Sequence, residues 1–333
     1  MATLGASYFD LIDLYKSQDE SRQIAEVIEM LAETNAILDD AVAMECNNGT
    51  KHLTTIRAGL PSVTWGKLYQ GVPNSKSTKT QVEDTTGFVE GLSTIDTRLL
   101  KLSGNEAAIR LSEARAFLES MSQEVASNII YGNGTTEPEK FTGFAPRFNS
   151  LSAANGDQIV DAGGTGSDNT SIWFVTWSDD ACHLLYPQGT AAGVSREDKG
   201  EQRVLDGSSN AYYVKEEMFT QHVGLTVRDW RQVARVANID VSDLNAGSVD
   251  IYKFMRQAFW KLKKHRVSGG RMAIYCNADV LEALDADSTP TTSTSASFVR
   301  LSPSEVDGQE VMSYRGIPVR QVDAILNNEA QIT

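Results

Sequence analysis

Cysteine is scarce in this sequence: Cys46, Cys182 and Cys276 are the three present among 333 residues, with no CxxC spacing. That excludes a disulfide-stapled scaffold and a cysteine-rich zinc module, and fits free thiols in a reducing compartment. Long apolar runs are missing too. Stretches such as Ile172 to Val175 fall far short of the roughly 20 residues that a membrane-spanning helix requires, so no membrane partner is expected. Met1 to Tyr15 carries Asp10 and Asp13 where an export signal places lysines, and no apolar core follows them; the expected location is the compartment of synthesis.

The residues that usually carry chemistry are sparse as well. His52, His183, His222 and His265 show no HExxH or other metal-ligating spacing, and no GxSxG elbow supplies a serine nucleophile. Cys182 and His183 are sequence neighbours, so in a strand they point to opposite faces and cannot act as nucleophile and base. Gly163, Gly164 and Gly166 precede a strand, whereas a phosphate loop follows one and opens a helix. The adjacent acids Asp179-Asp180 and Glu216-Glu217 read as solvated faces. No enzyme activity, catalytic residue, cofactor or metal is expected. Basic residues are also outnumbered: 30 Lys and Arg against 44 Asp and Glu give a net charge of −14. A chain this acidic is repelled by nucleic acid as a whole, which disfavours a sequence-specific DNA binder. The same balance suits the lining of a DNA container.

What is there reads as an α+β protein with an ordinary globular mix, 41% hydrophobic and 22% charged. Ser7 to Leu38 reads as two short helices, the second with Ser21 as cap and Ile24, Val27, Ile28 and Leu31 on one face. Such an arm docks either on its own core or on a neighbour. From His52 to Ile95 the texture turns to Thr, Val, Gly and Pro, with Val63, Trp65 and Tyr69 loosely alternating. This predicts a long hairpin whose polar tip, Gly71 to Thr80, is either a mobile loop or a piece resting on another molecule.

Asn105 to Tyr131 holds no Gly or Pro, and Ala114, Phe117, Leu118, Met121, Val125 and Ile129 form one apolar stripe. It predicts a helix about 40 Å long, closed by Gly132-Asn133-Gly134. Asp161 to Thr170 reads as a flexible connector. Strands are expected at Ile172 to Trp177, Ala211 to Phe219, Gly224 to Ile239 and Met272 to Cys276, and helices at Val249 to His265 and Ala278 to Leu284. Ser288 to Ser297 reads as a loop and Tyr314 to Val322 as extended. One basic cluster stands out: Arg256, Lys261, Lys263, Lys264, Arg266 and Arg271, with no acid from Met255 through Arg271. It faces DNA, an acidic patch of a neighbour, or simply solvent at a helix end.

Several strings are specific together: VTWGKLYQGVPNSKSTKTQVED (Val63 to Asp84), RLSEARAFLESMSQEVASNIIYGN (Arg110 to Asn133), PEKFTGFAPRF (Pro138 to Phe148), SIWFVTWSDDACHLLYPQG (Ser171 to Gly189), HVGLTVRDWRQVARVANID (His222 to Asp240) and YRGIPVRQVDAI (Tyr314 to Ile325). In this order they resemble the major capsid proteins of podoviruses similar to Salmonella phage epsilon-fifteen. The resemblance implies the Hong Kong 97 tailed-phage capsid fold: an N-terminal arm at 1–38, an extended hairpin loop at 39–98, a peripheral domain at 99–245 with a spine helix at 105–131, and an axial-type domain at 246–333. Met272 to Val319 follow the candidate peripheral strands instead of preceding them, which implies a permuted connection order.

The resemblance further implies a shell protein that self-assembles into pentamers and hexamers, encloses packaged double-stranded DNA without sequence preference, and resides in the virion after assembly in the bacterial cytoplasm. Scaffold, portal and cement or decoration proteins are the implied partners. Trp65, Lys67, Tyr69, Lys76 and Lys79 become candidate intersubunit contacts. An encapsulin-like compartment of the same fold is the alternative.

Overall fold

Every residue of the strand Asn169–Trp177 is buried, because its two faces feed two different cores. The computed structural model describes residues 32–262, 270–288, 301–306 and 309–333. In chain order its elements are α1 (Ile37–Asp40), β1 (Ala43–Glu45), β2 (Lys51–Gly59), β3 (Thr78–Asp96), α2 (Thr97–Ser103), α3 (Glu106–Tyr131), α4 (Phe144–Arg147), β4 (Ile159–Asp161), β5 (Asn169–Trp177), β6 (Cys182–Tyr186), β7 (Val194–Leu205), β8 (Ala211–Val227) and β9 (Val233–Asp240). There follow α5 (Val241–Asn245), α6 (Ile251–Lys261), β10 (Arg271–Cys276), α7 (Ala278–Ser288), β11 (Ser302–Val306), β12 (Gln309–Tyr314) and β13 (Ile317–Gln321). One mixed sheet links the strands in the order β11-β12-β13-β10-β5-β6-β8-β3-β2, with β9 on β5 and β7 on β8.

Alternation along β5 sends Trp173, Val175 and Trp177 to one core, with Val125, Ile129 and Ile130 from the end of α3 and Phe144 of α4. It sends Ile172 and Phe174 to the other, with Ile251, Met255 and Ala258 of α6 and Val280 and Leu284 of α7. A strand covered on both faces reads as a continuous apolar run, and SIWFVTW is one.

The long helix forms where the stripe places it. Asn105 caps it by accepting from the Ala108 N–H at 3.2 Å, and Ala114, Met121, Val125 and Ile129 are buried. Leu118, expected in the stripe, is 40% exposed; over this half of the helix the apolar partners are Phe117, Val89 and Phe219, and Leu118 points away from them. The chain leaves at Gly132, where a Cβ would come within 2.5 Å of the Asn128 carbonyl oxygen.

Four expectations need correction. The run from Gly224 to Ile239 is two strands: β8 ends at Val227, and β9 begins at Val233 after a short 3₁₀ turn. The break is local chemistry, since Asp229 accepts from the Arg231 backbone N–H at 3.2 Å and pairs with its guanidinium at 2.8 Å. Ala211 to Phe219 instead runs on into the first part of that stretch as a single β8. Tyr314 to Val322 is extended only from Ile317, as β13: Arg315 and Gly316, both at positive φ, first turn the chain, with Tyr314 opposite Ile317. Asp161 to Thr170 is pinned at its C-terminal end, with Asn169 and Thr170 fully buried and the Asn169 amide donating to the Gly166 carbonyl at 2.8 Å.

The expected helix at Val249 to His265 is observed as Ile251–Lys261, capped by Asp250, and that at Ala278 to Leu284 runs on to Ser288. The arm helices lie outside the described residues except for its last residues, as does nearly all of the Ser288 to Ser297 loop.

Candidate assembly surfaces

The hairpin is built from β2 and β3, paired antiparallel from Lys51 opposite Thr85 to Gly59 opposite Thr78, roughly 30 Å of ladder at about 3.4 Å per residue. Its base is fastened to the body. Asp84, buried on β3, accepts from the Thr226 hydroxyl at 2.6 Å and from the Arg147 guanidinium at 2.8 Å. The same guanidinium donates to the Leu225 carbonyl at 3.1 Å, so one cation ties β3, β8 and α4 together. Beside it His52 of β2 meets His183 of β6 edge to face, 5.5 Å between ring centres. Burial is the main reason both imidazoles sit below the ordinary histidine range, and the Arg228 guanidinium adds to it for each. Neither histidine shows any arrangement for nucleophilic work.

Beyond the ladder, residues 60–77 form no strand. The alternation of Val63, Trp65 and Tyr69 therefore produces no pairing inside this chain. Tyr69 takes a left-handed backbone at φ 64°, and the hydroxyl of Ser75 donating to the Ser62 carbonyl at 2.7 Å joins the two arms. Val63, Trp65 and Leu68 are 90%, 97% and 91% exposed, and Leu60, Tyr69 and Val72 are exposed beside them. Lys67 and Lys76 belong to the same tip and are exposed, and Lys79 is exposed at the adjoining start of β3, opposite Arg57. Several large apolar side chains left uncovered together make the tip a candidate interaction surface.

Behind the hairpin, α3 lies across a ribbon of β3, β8 and β7. Phe117 of α3 stacks on Phe219 of β8 at 5.6 Å, and Gly91 of β3 makes room, since a Cβ there would come 2.8 Å from the Phe117 ring. Glu217 is not on a solvated face as expected. It is buried on β8 and held by Arg196 of β7 at 2.9 and 2.7 Å and by Arg110 of α3. Arg110 also reaches Asp198 of β7 at 2.5 Å. Sequence reading missed this cluster because its members are far apart in the chain and only the sheet register brings them together.

Along β3, Thr86 to Asp96 pair with β8 on one side, while β2 pairs on the other side only as far as Thr85. Thr86 still donates its N–H to the Thr50 carbonyl at 3.2 Å; among the described residues, β3 from Gly87 onward has a strand on one edge only. An open groove of about 500 Å³ beside β3 is lined by Val89, Glu90, Phe117, Met121, Glu124 and Asp323 among others.

Of the basic cluster, Arg256, Lys261 and Arg271 are described, and Lys263, Lys264 and Arg266 lie outside the described residues. Arg256 and Arg271 are exposed. Lys261 donates to the Ile159 carbonyl at 3.0 Å, so it ties α6 to the start of β4. Next to it Trp260 is 64% exposed, and the Arg315 guanidinium sits 5.0 Å over the Phe259 ring; neither residue stood out in the sequence.

The C-terminal segment and the chain around Asp40 are fastened by buried polar networks. Glu329 pairs with Arg235 at 2.8 Å and accepts from the Tyr131 hydroxyl at 2.6 Å and from Ser171; burial first, then the Glu329 charge, raises the Tyr131 phenol. At the root of the arm, Asp40 accepts from the Tyr275 hydroxyl at 2.9 Å, which accepts from the Trp177 indole at 2.7 Å. Burial is the largest influence on Asp40 and raises its carboxyl above the usual range.

A well-packed α+β body that carries its most exposed apolar side chains on a hairpin, backed by a spine helix, defines a shell subunit with the Hong Kong 97 tailed-phage capsid fold. The family model for major capsid protein GP7 matches residues 19–333, and the chain belongs to that family. It is similar to a solved near-atomic structure of bacteriophage epsilon15, at 36% identity over 100% of both chains and a TM-score of 0.79. An encapsulin from Synechococcus elongatus is 11% identical over 66% of this chain and 94% of that one, with a TM-score of 0.44. The capsid of phage XM1 is 12% identical over 64% and 95%, with a TM-score of 0.42. Both of these are too distant to bear on function. No curated protein matches the chain. The protein is therefore a structural component of a phage capsid, a class without enzyme activity.

Proposed function

We propose that copies of this chain form five- and six-membered rings that close into an icosahedral shell around the phage's double-stranded DNA, assembled in the host cytoplasm. The single observation that carries this reading is the hairpin tip, where Trp65 is 97% exposed with other large apolar side chains around it. Heterologous contacts that close by rotation give finite rings, and many weak contacts add to a stable shell while single subunits still detach and correct errors. The net charge of −14 opposes association, but a Debye length of about 8 Å at physiological salt confines that repulsion to near neighbours. The proposed intersubunit contacts are Trp65, Lys67, Tyr69, Lys76 and Lys79, and the basic cluster is proposed to face DNA or a neighbouring subunit.

The division into arm (1–38), hairpin (39–98), peripheral domain (99–245) and axial-type domain (246–333), with a permuted connection order, is a proposal about roles in assembly. β10 pairs with β5 across the proposed boundary at 245. Scaffold, portal and cement proteins are the proposed partners. The test is negative-stain electron microscopy of the protein expressed with and without its neighbouring phage genes. Closed uniform shells or ring-shaped capsomers support the reading. Shells that form without a scaffold and hold no genome support an encapsulin-like compartment instead, and a monodisperse monomer at every salt concentration overturns both.

A further inference from the structure

His52 of β2 and His183 of β6 stand three strands apart in the sheet order β6-β8-β3-β2. In a flat sheet that separation is about 14 Å, at roughly 4.8 Å per strand, yet the two rings meet edge to face at 5.5 Å. The sheet therefore curls here, and the base of the hairpin folds back over β6. The row between the rings is continuous: His52 lies opposite Asp84, Asp84 accepts from Thr226, and Thr226 lies opposite His183. β2 is the last strand of this row and pairs with β3 alone among the described strands. Its hold on β6 is made by side chains.

Those side chains are ill suited to carry charge where they sit. His183 has no exposed surface and Thr54, on the same face of β2 as His52, is buried. Neither ring nitrogen of His183, nor Nδ1 of His52, nor the Thr54 hydroxyl makes a well-aligned hydrogen bond among the described residues. The charged groups around the rings are Asp84 of β3, Arg147 of α4, Asp179 in the turn between β5 and β6, and Arg228 just after β8. Both acids are already engaged, Asp84 by Arg147 at 2.8 Å and Asp179 by Arg228 at 3.0 Å, so neither is free to serve as counter-ion to an imidazolium. For His183, burial and then the facing His52 ring outweigh the Ser178 backbone and Asp179, which favour a proton. For His52, burial and then Arg228 outweigh Asp84 and Asp179.

We propose that the contact between His52 and His183 is an acid-released latch: neutral imidazoles hold the base of the hairpin on β6, and protonation lifts β2 away while both hydrophobic cores stay packed. A buried imidazolium without a partner is costly, and two that face each other repel; water reaches both rings once the sheet uncurls. The movement turns about β3, which stays anchored to the body through Asp84, and Gly49, at φ 65° just ahead of β2, lets the incoming chain follow. Both histidines take up protons more readily in the open form, so the latch is shut above about pH 6.5 and opens as pH falls towards the lowered values of the closed form. The latch is a property of the single subunit and does not depend on the assembly reading. Its effect is to re-aim the hairpin without unfolding the body.

The test is hydrogen exchange, read by mass spectrometry, on soluble subunits of the full chain between about pH 7 and pH 5, with rates corrected for the intrinsic pH dependence of exchange. Amides of β2 around His52 are expected to exchange at least about tenfold faster at the acid end, because a group that is protonated only in the open form favours opening tenfold per pH unit below about 6.5. Amides of β5 are expected to keep their protection. His183→Phe is expected to reduce the acceleration, and His183→Phe with His52→Gln to abolish it. His222→Gln, on β8 but outside the pair, is expected to leave it unchanged. Should the His183 variants fail to fold, His52→Gln alone must still reduce the acceleration. Protection of β2 that does not change with pH, an acceleration undiminished in the variants, or loss of β5 protection at the same pH as β2 overturns the latch.

Discussion

β5 and the hairpin tip are both rich in large apolar side chains, and the molecule treats them oppositely. In β5, Trp173 and Trp177 have no exposed surface, and Ile172 and Phe174 fill the second core on the other face. In the tip, Trp65 is almost wholly exposed. Since burying a large apolar side chain is worth about 1.5–3 kcal/mol, the first region holds the subunit together, while the second contributes little to its folding and is for that reason the proposed contact with a partner.

The predictions that break or sharpen this contrast run from the largest effect on folding to the smallest. Trp173→Ala removes a side chain packed against Phe144 and Phe148 and lying under Arg235. A loss of about 3–5 kcal/mol is expected, read by urea denaturation of soluble subunits; a loss under about 1 kcal/mol would mean that the doubly covered sheet is not the stabilising centre. Arg147→Ala leaves Asp84 as a buried charge without its cation, at an expected cost of about 3–5 kcal/mol, and protease sensitivity should appear first at the base of the hairpin.

Next comes acid. His52 and His183 are both held below the ordinary histidine range, so the unfolded chain binds more protons than the folded one once pH falls below about 6.5. The stability this pair contributes is fully present above that pH and is lost as pH falls through the lowered folded values. His183→Phe should flatten the decline of stability between neutral and mildly acid pH, and an unchanged profile would mean that the pair contributes nothing to it. Smallest of all, Trp65→Ala should change folding stability by no more than about 0.5 kcal/mol, while assembly fails.

How far the sequence reaches follows the same division. Periodicity carried the spine helix from its Asn105 cap to its Gly132 exit, and the unbroken apolar run carried β5, because in both the pattern and the burial are local. β7 had no such signal: Val194–Leu205 is charged and exposed nearly throughout, and it is a strand because β8 offers it an edge from Val194 opposite Gln221 to Leu205 opposite Ala211. The burial of Glu217 was hidden for a related reason, since it depends on guanidiniums contributed by α3 and β7. In the tip the alternation of Val63, Trp65 and Tyr69 is a strand pattern without a strand, since no pairing partner for it is present among the described residues. The resemblance to podovirus capsid proteins gave the family, which the match over residues 19–333 bears out. The contact residues belong to the assembled particle and stay proposals.

The most direct test of the central claim, that the hairpin tip's apolar surface exists for a neighbouring subunit, is sedimentation velocity on the wild-type chain and on the Trp65→Ser, Tyr69→Ser double variant, both expressed with the neighbouring phage genes. Large particles are expected from the wild type, and folded subunits or single rings, with unchanged circular dichroism, from the variant. Particles of equal size and yield from both would contradict the claim.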